Sequence, residues 1–427
     1  MASCVFLSAT APQASSSRSN GPWSSAMKIL VVHNYYGAAA PSGENQAVEA
    51  ELALLRKRGH EVDKYVRHSD EIRAKGVRGT LQGALATPWN PWAAARVRRA
   101  VEEFRPDVVH VHNTFPLLSP AIFQAIGNRA ARVLTLHNYR LFCSAATLMR
   151  AGHVCTECLD RRSVRPAVRY GCYRNSRLAT LPLAVSVALH RKMHTWTRHV
   201  DGFIALTEFQ RDRMVAAGLP ADRVHVKPNF FPGRPEPIAW AERGNYVIYV
   251  GRLSSEKGIE TLLRGWISWG NQAPELRVLG DGPLRNTLER MVDASAMTTK
   301  IRFLGQVSHD DAVRQIAQAR LLVVPSLCIE GFPMTVCEAF AFGTPVAASD
   351  LGPLPWVVRK GMNGIVFSAG DPQALAREVQ SVWNSPSALQ NMSAQARLAY
   401  EHLYTEDASY NLLNAIYVKA IAEKASG

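Results

Sequence analysis

Short apolar runs alternate with segments of helical period along most of the chain. In the first half, the apolar runs predict strands at Lys28–Asn34, Glu61–Tyr65, Asp107–Asn113, Arg132–Asn138, Gly202–Thr207 and Val224–Asn229. Segments such as Glu44–Arg58 and Glu208–Ala217 repeat apolar residues at helical spacing and predict helices between those strands. Continuous apolar strands that alternate with helices are typical of a parallel sheet covered by helices on both faces.

The same alternation begins again after a proline-rich stretch. Residues 230–244 contain Pro232, Pro235 and Pro237 and predict a linker. Beyond it, strands are predicted at Tyr246–Arg252, Leu276–Gly282, Ile301–Gly305, Leu321–Ser326, Pro345–Ser349 and Gly364–Phe367. Two such series predict an α/β fold of two doubly wound, Rossmann-like domains that face a cleft. Ligands in such sheets bind outside the carboxyl ends of the strands.

The predicted organisation has five parts. Residues 1–26 are rich in Ser and Ala and contain no Asp or Glu, so we expect a disordered extension, with a transit-like peptide as the alternative. A first Rossmann-like domain is predicted at 27–229 with a Cys-rich insertion at 143–172, followed by the linker at 230–244 and a second Rossmann-like domain at 245–403. A C-terminal helix at 404–427 is expected to pack back on the first domain. No run of about 18 uncharged apolar residues occurs, so no membrane-spanning helix is expected.

Charge is divided unequally between the two halves. The 427 residues include 49 Lys+Arg and 35 Asp+Glu, a formal net charge of +14. From Val226 onwards the basic and acidic residues number 19 each, so the first 225 residues carry the whole excess. Residues 161–200 contain nine Lys or Arg and no acid. Such an excess favours an anionic partner, namely nucleic acid, a membrane surface or a phosphorylated ligand.

Basic residues follow the first predicted strand of the second half. Arg252 ends that strand, and Lys257 comes in the turn after it. An Arg fork and a Lys ammonium together suit the oxygens of a diphosphate. Two solvated surface charges are the alternative.

Two acidic residues flank a predicted helix start in the same half. Glu330 precedes Pro333, which suits the first helical position, and Glu338 projects from the helix. Free N–H groups at Met334 and Thr335 favour an anion at the helix terminus. The arrangement suits a ligand with phosphate and hydroxyl groups, such as a nucleotide sugar. A surface Glu and a helical Glu paired with an Arg are the alternative.

Histidines end two predicted strands of the first half. His110 and His112 belong to one strand and His137 to the next, while Gly43 precedes the first helix in a loop of small residues. A His at the carboxyl end of a strand is well placed for catalysis, and the loop could admit a phosphate to backbone N–H groups. The alternative is a hydrogen-bonded core His, which we favour for His110.

Together, the segments GRLSSEKG, GDGP, FLGQVS, EGFPMTVCEAFAFGTPVAAS and the opening KILVVHNYY…GEN resemble retaining glycosyltransferases of family 4 with the GT-B fold. The resemblance covers roughly Met27 to the C-terminus. It implies that Arg252 and Lys257 bind the donor diphosphate, that Glu330 contacts the donor sugar and that Glu338 holds the ribose hydroxyls. It also implies further donor contacts from Gln306, Val307, Gly331, Phe332, Pro333, Met334 and Thr335.

For the first half, the resemblance places His137 beside the reacting sugar. It places Gly43, Glu44 and His112 on the acceptor and phosphate side. Two departures occur, because Trp356 stands where many members have an acidic residue and Gly43 stands alone where many have two glycines.

The implied activity is transfer of a sugar from a UDP- or GDP-sugar to a hydroxyl of a lipid-linked or polysaccharide acceptor, with retained anomeric configuration. His137, Arg252, Lys257 and Glu330 would be the catalytic residues. The departing diphosphate would take the acceptor proton, and no cofactor is expected because the chain contains no D-x-D motif. The implied setting is cell-surface polysaccharide or glycolipid synthesis at the cytoplasmic face of the inner membrane.

Two other functions remain open. One is a catalytically silent GT-B module that binds a membrane or nucleic acid, and the other is a nucleotide-sugar epimerase or hydrolase. Few aromatic residues lie among the basic ones, so no nucleic-acid partner is expected. Residues 161–198 are instead predicted to contact an anionic membrane or a lipid diphosphate.

Four of the seven cysteines form a cluster. Cys143, Cys155, Cys158 and Cys172 are spaced C-x11-C-x2-C-x13-C, which fits a structural zinc site. Free thiols or a redox pair are the alternative. A zinc ion would fix the loop before the helix near Leu178–Thr195, for which no hydrophobic run is evident. Cys328 and Cys337 are expected to be packing residues.

Overall fold

A computed structural model describes residues 26–37 and 42–426. The predicted disordered extension lies outside these residues, apart from Ala26, and so does most of the small-residue loop before Gly43. None of the described helices is long and apolar enough to cross a membrane.

The first domain is built around one six-stranded sheet. Its strands and a small hairpin are β1 (Lys28–Tyr35), β2 (Glu61–His68), β3 (Val108–Asn113), β4 (Ala131–Leu136), β5 (Met149–Arg150), β6 (His153–Val154), β7 (Gly202–Ala205) and β8 (Val224–Val226). Its helices are α1 (Gly43–Lys57), α2 (Asp70–Arg73), α3 (Gly76–Ala86), α4 (Pro91–Phe104), α5 (Ile122–Ile126), α6 (Glu157–Asp160), α7 (Arg165–Tyr170), α8 (Arg177–Lys192), α9 (Thr195–Arg198) and α10 (Glu208–Ala216).

The second domain repeats the architecture. Its strands are β9 (Tyr246–Val250), β10 (Glu275–Leu279), β11 (Ile301–Gly305), β12 (Leu321–Val324), β13 (Val346–Ser349) and β14 (Gly364–Phe367). The helices are α11 (Ile259–Trp269), α12 (Arg285–Ala294), α13 (His309–Gln318), α14 (Met334–Ala341), α15 (Leu354–Val357), α16 (Pro372–Trp383), α17 (Pro386–Leu403) and α18 (Glu406–Ser426).

Both large sheets are wholly parallel. The strand order is β2-β1-β3-β4-β7-β8 in the first domain and β11-β10-β9-β12-β13-β14 in the second. The central strands are buried on both faces, as the continuous apolar runs predict. The predicted fold class, two doubly wound Rossmann-like domains, is confirmed.

Several predicted strands are too long at their carboxyl ends. The strand predicted to reach Arg252 ends at Val250, and the strand predicted to reach Ser326 ends at Val324. The chain turns out of the sheet there, and the Leu253 N–H donates to the Asp281 carbonyl in a neighbouring loop instead of to a strand. These residues therefore lie in strand-end loops, where side chains can face a cleft.

Capping residues set many of the helix starts. The Ser42 and Asn90 side chains accept hydrogen bonds from the first turns of α1 and α4, and Ser176 does the same for α8. Helices α2 and α3 were not predicted. The α3 sequence contains three glycines, at positions 76, 79 and 83, and its large apolar residues do not face the core.

The last helix, α18, returns to the first domain. Leu413, Ile416, Tyr417 and Ala420 pack against β1, β3, β4 and β7 in one buried cluster. At the start of the helix, Lys57 Nζ contacts Glu406 Oε2 at 2.6 Å, and Arg58 forms an ion pair with Asp407. The chain thus passes through the second domain and completes the core of the first.

Neighbouring leucines of α18 test this packing. Leu413 is fully buried, whereas Leu412 on the next position is 41% exposed. Because truncation of a buried leucine leaves a cavity, we expect Leu413→Ala to lower the free energy of unfolding of the first domain by about 2–5 kcal/mol. Leu412→Ala, the matched control, should stay within about 0.5 kcal/mol of the parent in urea unfolding. Equal losses in the two variants would contradict this packing.

Candidate active site

The loops after the adjacent strands β9 and β12 meet at the topological switch point of the second sheet. On one side of this point the chain continues to β10, and on the other side it continues to β13. The Leu327 N–H donates to the Glu256 carbonyl across the two loops, at 2.9 Å. Gly258 has a φ of +67°, and a Cβ at this position would clash with the Pro325 carbonyl oxygen. This close approach brings Lys257 and Glu330 together, although they lie 73 positions apart in the chain.

Lys257 and Glu330 form a largely enclosed ion pair. Lys257 Nζ lies 2.7 Å from Glu330 Oε1, and the Ser326 hydroxyl donates to the same oxygen at 2.7 Å. Burial alone would raise the pKa of Glu330, but the Lys257 ammonium and these hydrogen bonds hold it below its ordinary value. Burial alone would lower the pKa of Lys257, but the Glu330 charge raises it. Both groups are therefore ionised at neutral pH.

Arg252 lies in the same loop after β9 as Lys257, and its side chain has no partner among the described residues. Its side chain is exposed and forms no hydrogen bond or ion pair with any residue in the described part of the chain. Only its backbone carbonyl is bound, by the Tyr249 hydroxyl at 2.9 Å. Gln306 and Val307 follow β11 and are also exposed. These three residues are open to a ligand at the carboxyl edge of the sheet.

Helix α14 begins next to Glu330. Pro333 is its N-cap, and the first turn begins with Met334 and Thr335. Phe332 is buried in the core of the second domain. Glu338 is buried one turn further on, and burial raises its pKa to about 7. His309 Nδ1 lies 3.8 Å from Glu338 Oε1. No Arg among the described residues forms an ion pair with Glu338, which contradicts the alternative of a Glu338–Arg pair.

The first domain closes over this edge at two points. A Cβ on Gly331 would lie 2.9 Å from the His137 carbonyl oxygen, and the Tyr139 hydroxyl donates to the Glu330 carbonyl at 3.4 Å. A Cβ on Gly43 would lie 3.1 Å from Met334 Cγ, so the N-termini of α1 and α14 face each other. The structure thus brings His137, Gly43 and the Glu330 loop to one cleft.

Glu44 contributes an unusual carboxyl to the first-domain side. Burial raises its pKa to about 8, and the nearby Arg140 opposes this rise. Its Oε1 atom is buried and has no hydrogen-bond partner among the described residues. A protonated carboxyl with a free polar atom suits a polar ligand in the cleft.

A buried network lies behind His137. His137 Nε2 is 3.0 Å from His112 Nδ1, and His112 Nε2 is 3.4 Å from Glu51 Oε1. Lys227 Nζ lies 2.9 Å from Glu51 Oε2 and balances its charge. The structure therefore places His112 directly behind His137.

Burial keeps these histidines neutral. It lowers the pKa of His112 to about 4 and that of His137 well below its ordinary value. The pKa of Glu51 lies well below its ordinary value; burial opposes this shift, and Lys227 and His110 outweigh burial. His112 Nδ1 and His137 Nε2 share one hydrogen bond, in which one of these two ring nitrogens donates and the other accepts.

Glu51, His110 and His112 also form a compact group. Within the described residues, it is the one group of three His, Cys, Asp or Glu side chains whose ligand atoms lie mutually within 4.8 Å. Lys227 already supplies positive charge to Glu51. His110 contacts Thr135 Oγ1 and the Tyr417 hydroxyl, each at 2.7 Å, so both ring nitrogens are engaged. We interpret the group as a hydrogen-bonded core network, which is the alternative favoured for His110.

The four clustered cysteines line one small pocket. Cys143, Cys155, Cys158 and Cys172 come from separate turns around the β5–β6 hairpin and share this pocket. No three of their sulfur atoms belong to a group within 4.8 Å of one another. Burial raises the pKa of Cys158 to about 11 and also raises that of Cys172. Cys328 and Cys337 are buried in the second domain.

Single buried apolar residues anchor the cysteine-rich loop, in which the sequence shows no hydrophobic run. Phe142, Leu148 and Leu159 are buried in the core of the first domain. These residues are scattered singly among polar ones, so they form no run that periodicity could detect. The loop is therefore anchored by packing, whether or not a metal binds.

Four residues of the site were not singled out from the sequence. Glu51 and Lys227 form the buried pair behind the histidines, Ser326 holds Glu330, and Tyr139 bridges the domains. Glu51 offered a signal, since it occupies an inward position on α1 between Val48 and Leu55. The others carry no local signal, because their partners lie far away in the chain.

Two family profiles match nearly the whole described chain. Residues 43–232 match Glycosyltransferase Family 4, and residues 234–399 match Glycosyl transferases group 1. Among curated relatives, 2-deoxystreptamine N-acetyl-D-glucosaminyltransferase of Streptomyces fradiae is 30% identical over 67% of this chain and 64% of its own length. Alpha-D-kanosaminyltransferase of Streptomyces kanamyceticus is 26% identical over 52% of this chain and 61% of its own length. The chain thus spans less than two thirds of each of these relatives.

Solved structures share the fold. Sucrose-phosphate synthase from Thermosynechococcus elongatus superimposes with a TM-score of 0.67 at 18% identity, over 93% of this chain and 99% of that one. Anabaena HepE in complex with UDP and glucose superimposes with a TM-score of 0.61 at 17% identity. The superposition covers 91% of this chain and 99% of the HepE chain. The two profile matches, the paired parallel sheets and the strand-end residues at one cleft lead to one conclusion. The chain belongs to the family 4, group 1 glycosyltransferases and has the GT-B fold.

Proposed function

We propose that this protein is a glycosyltransferase that moves a sugar from a nucleotide-sugar donor to an acceptor hydroxyl. One observation carries the proposal: the Lys257–Glu330 pair lies at the carboxyl edge of the second sheet, where Gly331 approaches the His137 carbonyl, and the unpaired Arg252 lies in a loop at the same edge. A silent binding module would have no need for a buried carboxylate held ready by an ammonium. This makes the membrane- or nucleic-acid-binding module, with no catalysis, the less favoured alternative.

The donor would lie along the second domain. Arg252 and the N–H groups of Met334 and Thr335 suit its diphosphate. Because an ammonium has three N–H donors, Lys257 can keep its hydrogen bond to Glu330 and still donate to a phosphate. Glu338 suits the ribose hydroxyls, and Gln306 with Val307 suits the base. UDP-sugars are the first donors to test, since HepE was solved with UDP and glucose, and GDP-sugars are the second.

Catalysis would rest on electrostatics. Negative charge grows on the diphosphate as the sugar leaves, and Arg252 and Lys257 would stabilise that charge in a closed cleft. Glu330 would accept from the sugar hydroxyls while its own charge stays paired. His137 is neutral, so it would orient a sugar hydroxyl and carry no charge of its own.

Retention of configuration and the acceptor class rest on the family resemblance. The departing diphosphate would take the acceptor proton on the same face from which it leaves, and no protein nucleophile or metal is required. We infer a lipid-linked or polysaccharide acceptor, which an NMR assignment of the product anomer and an acceptor panel would test. An epimerase or hydrolase with this fold remains the weaker alternative.

The Lys257–Glu330 pair provides the direct test. We expect Lys257→Met and Glu330→Gln each to lower the rate of nucleotide release from the accepted donor by about 10²–10³-fold, because each removes preorganised charge from the transition state. Lys64→Met, which removes an exposed lysine of the edge strand β2, is the matched control and should retain full activity. Absence of turnover by the parent protein with UDP- and GDP-sugars, with and without acceptors, would refute the enzymatic proposal.

Glu338 should make donor binding depend on pH. A nucleotide-sugar diphosphate does not titrate near neutrality, whereas the pKa of Glu338 is about 7. Affinity for the donor should therefore rise about tenfold between pH 6 and pH 8, as the carboxylate forms and accepts the ribose hydroxyls. Calorimetry with Glu338→Gln should show a flat profile over the same range.

The same shift has the opposite sign for stability. The folded chain binds a proton at Glu338 more tightly than the unfolded chain does. The stability that this tighter proton binding gives the folded chain is fully present below the ordinary carboxyl pKa. It is lost as the pH rises through the folded-state pKa of about 7. Glu338→Gln should therefore gain stability relative to the parent at pH 8 but not at pH 4. A parent profile that matches the variant would contradict the assigned role.

We also propose that the cysteine pocket binds a structural zinc ion, which would draw the four sulfur atoms closer together. A tetrahedral site requires thiolates, so zinc would offset the raised pKa of Cys158 and Cys172. Metal analysis should find one equivalent of zinc in the purified protein and a marked loss in Cys155→Ser/Cys158→Ser. Cys328→Ser, at a buried cysteine outside the pocket, is the control. Less than half an equivalent in the parent would refute the zinc site.

A further inference from the structure

Helix α3 has an inverted distribution of side chains. It buries Gly79, Gly83 and Ala86, and the two glycines pack against Ile72. Its large apolar residues, Val77, Leu81 and Leu85, recur every four positions and are 78%, 60% and 79% exposed. A helix with glycines facing inward and large apolar side chains facing outward gains little stabilisation from burial. It gains more only if another surface covers the exposed apolar side chains.

Helix α8 presents a second exposed apolar row. Leu178, Leu181 and Val185 lie at helical spacing and are exposed, whereas Leu183 and Val187 of the same helix are buried. Helices α3 and α8 are in contact. The chain just beyond α3 also packs on α8, since Trp89 stacks on His190 and His190 Nε2 lies 2.9 Å from the Pro88 carbonyl.

Exposed Trp92 follows three residues after Trp89. We name the set of exposed side chains on these segments the α3–α8 surface: Val77, Leu81, Leu85, Trp92, Leu178, Leu181 and Val185. On an ordinary protein surface, large apolar side chains are exposed singly. Seven of them on α3, α4 and α8 are more than that pattern accounts for.

The segments that form this surface carry only positive charge. Residues 72–101 contain six Lys or Arg and residues 161–200 contain nine, with no Asp or Glu in either stretch. Exposed members include Lys75, Arg78, Arg169, Arg174, Arg177 and Lys192. None of these six forms an ion pair within the described part of the chain. The apolar rows therefore lie among uncompensated positive charges.

We propose that the α3–α8 surface docks on an anionic membrane. Leucine, valine and tryptophan side chains would enter the boundary between headgroups and acyl chains, and the surrounding Lys and Arg would contact lipid phosphates. A second copy of this chain fits poorly, because it would bring an equally positive surface. The predicted membrane segment 161–198 is thereby extended to include α3. The sequence of residues 161–198 gives no sign that α3 contributes.

The buried side of α8 lies next to the cleft. One cavity is lined both by His137 and Asn138 at the cleft and by Leu183 and Val187 of α8, with Thr87 directly after α3. An acceptor carried by a membrane lipid would therefore reach the cleft from the side of α8. This step rests on the proposed function, whereas the docking of the surface does not.

Vesicle flotation with the full chain tests the docking. We expect binding to phosphatidylcholine vesicles that contain an equal share of phosphatidylglycerol, and at least roughly tenfold weaker binding to phosphatidylcholine alone. Leu81→Asp/Leu85→Asp should weaken binding by roughly tenfold or more, and Arg174→Gln/Arg177→Gln should weaken it and reduce its dependence on salt. Leu412→Asp, at an exposed leucine of α18, is the matched control and should bind like the parent.

The outcomes separate docking from catalysis. Thermal unfolding should show that Leu81→Asp/Leu85→Asp remains folded, and its nucleotide release with a soluble donor should equal that of the parent. No binding, equal binding to both vesicle types, or an equal loss in the control would overturn the docking proposal. A dimer that light scattering detects and that Leu81→Asp/Leu85→Asp dissociates would assign the surface to a second copy instead. Lost donor turnover with intact vesicle binding would refute only the proposed function.

Discussion

All strands of the two large sheets run parallel, and this constraint organises the rest of the molecule. Parallel strands direct all their carboxyl ends to one edge, so every strand-end residue of a domain leaves the sheet on the same side. The second domain gathers Arg252, Lys257 and Glu330 at that edge, and the first gathers His137. The cleft between the domains is therefore polar, while the sheets stay apolar.

Buried charge within the cleft is tolerated because each charge is paired. Glu330 is paired with Lys257 on the donor side, and Glu51 with Lys227 behind the histidines. An unpaired carboxylate in such a place would take up a proton, as Glu44 and Glu338 tend to do. The two classes of carboxyl are thus distinguished by their neighbours: paired ones stay charged, and unpaired ones titrate near neutrality, where ligands can bias them.

The positive charge of the first domain belongs to a surface of its own. The segments 72–101 and 161–200 are far apart in sequence, yet α3 and α8 bring them together beside exposed apolar side chains. The residues proposed to bind the donor lie in the electrically balanced half. Positive charge is therefore divided between two places, with single cations in the cleft and an extended basic region around the apolar patch.

Sequence alone determined the two β/α series, their parallel sheets and the strand-end positions of Arg252, Glu330 and His137, because burial on both faces and polar strand ends leave a local pattern. Tertiary structure decided the rest. Glu51 meets Lys227 across 176 residues, and Phe142 and Leu148 anchor a loop without any periodic signal. The outward direction of Leu81 and Leu85 was also hidden, since helical spacing defines an apolar face but not what covers it. Only the packing of Gly79 and Gly83 on Ile72 shows that the large side chains face away from the core.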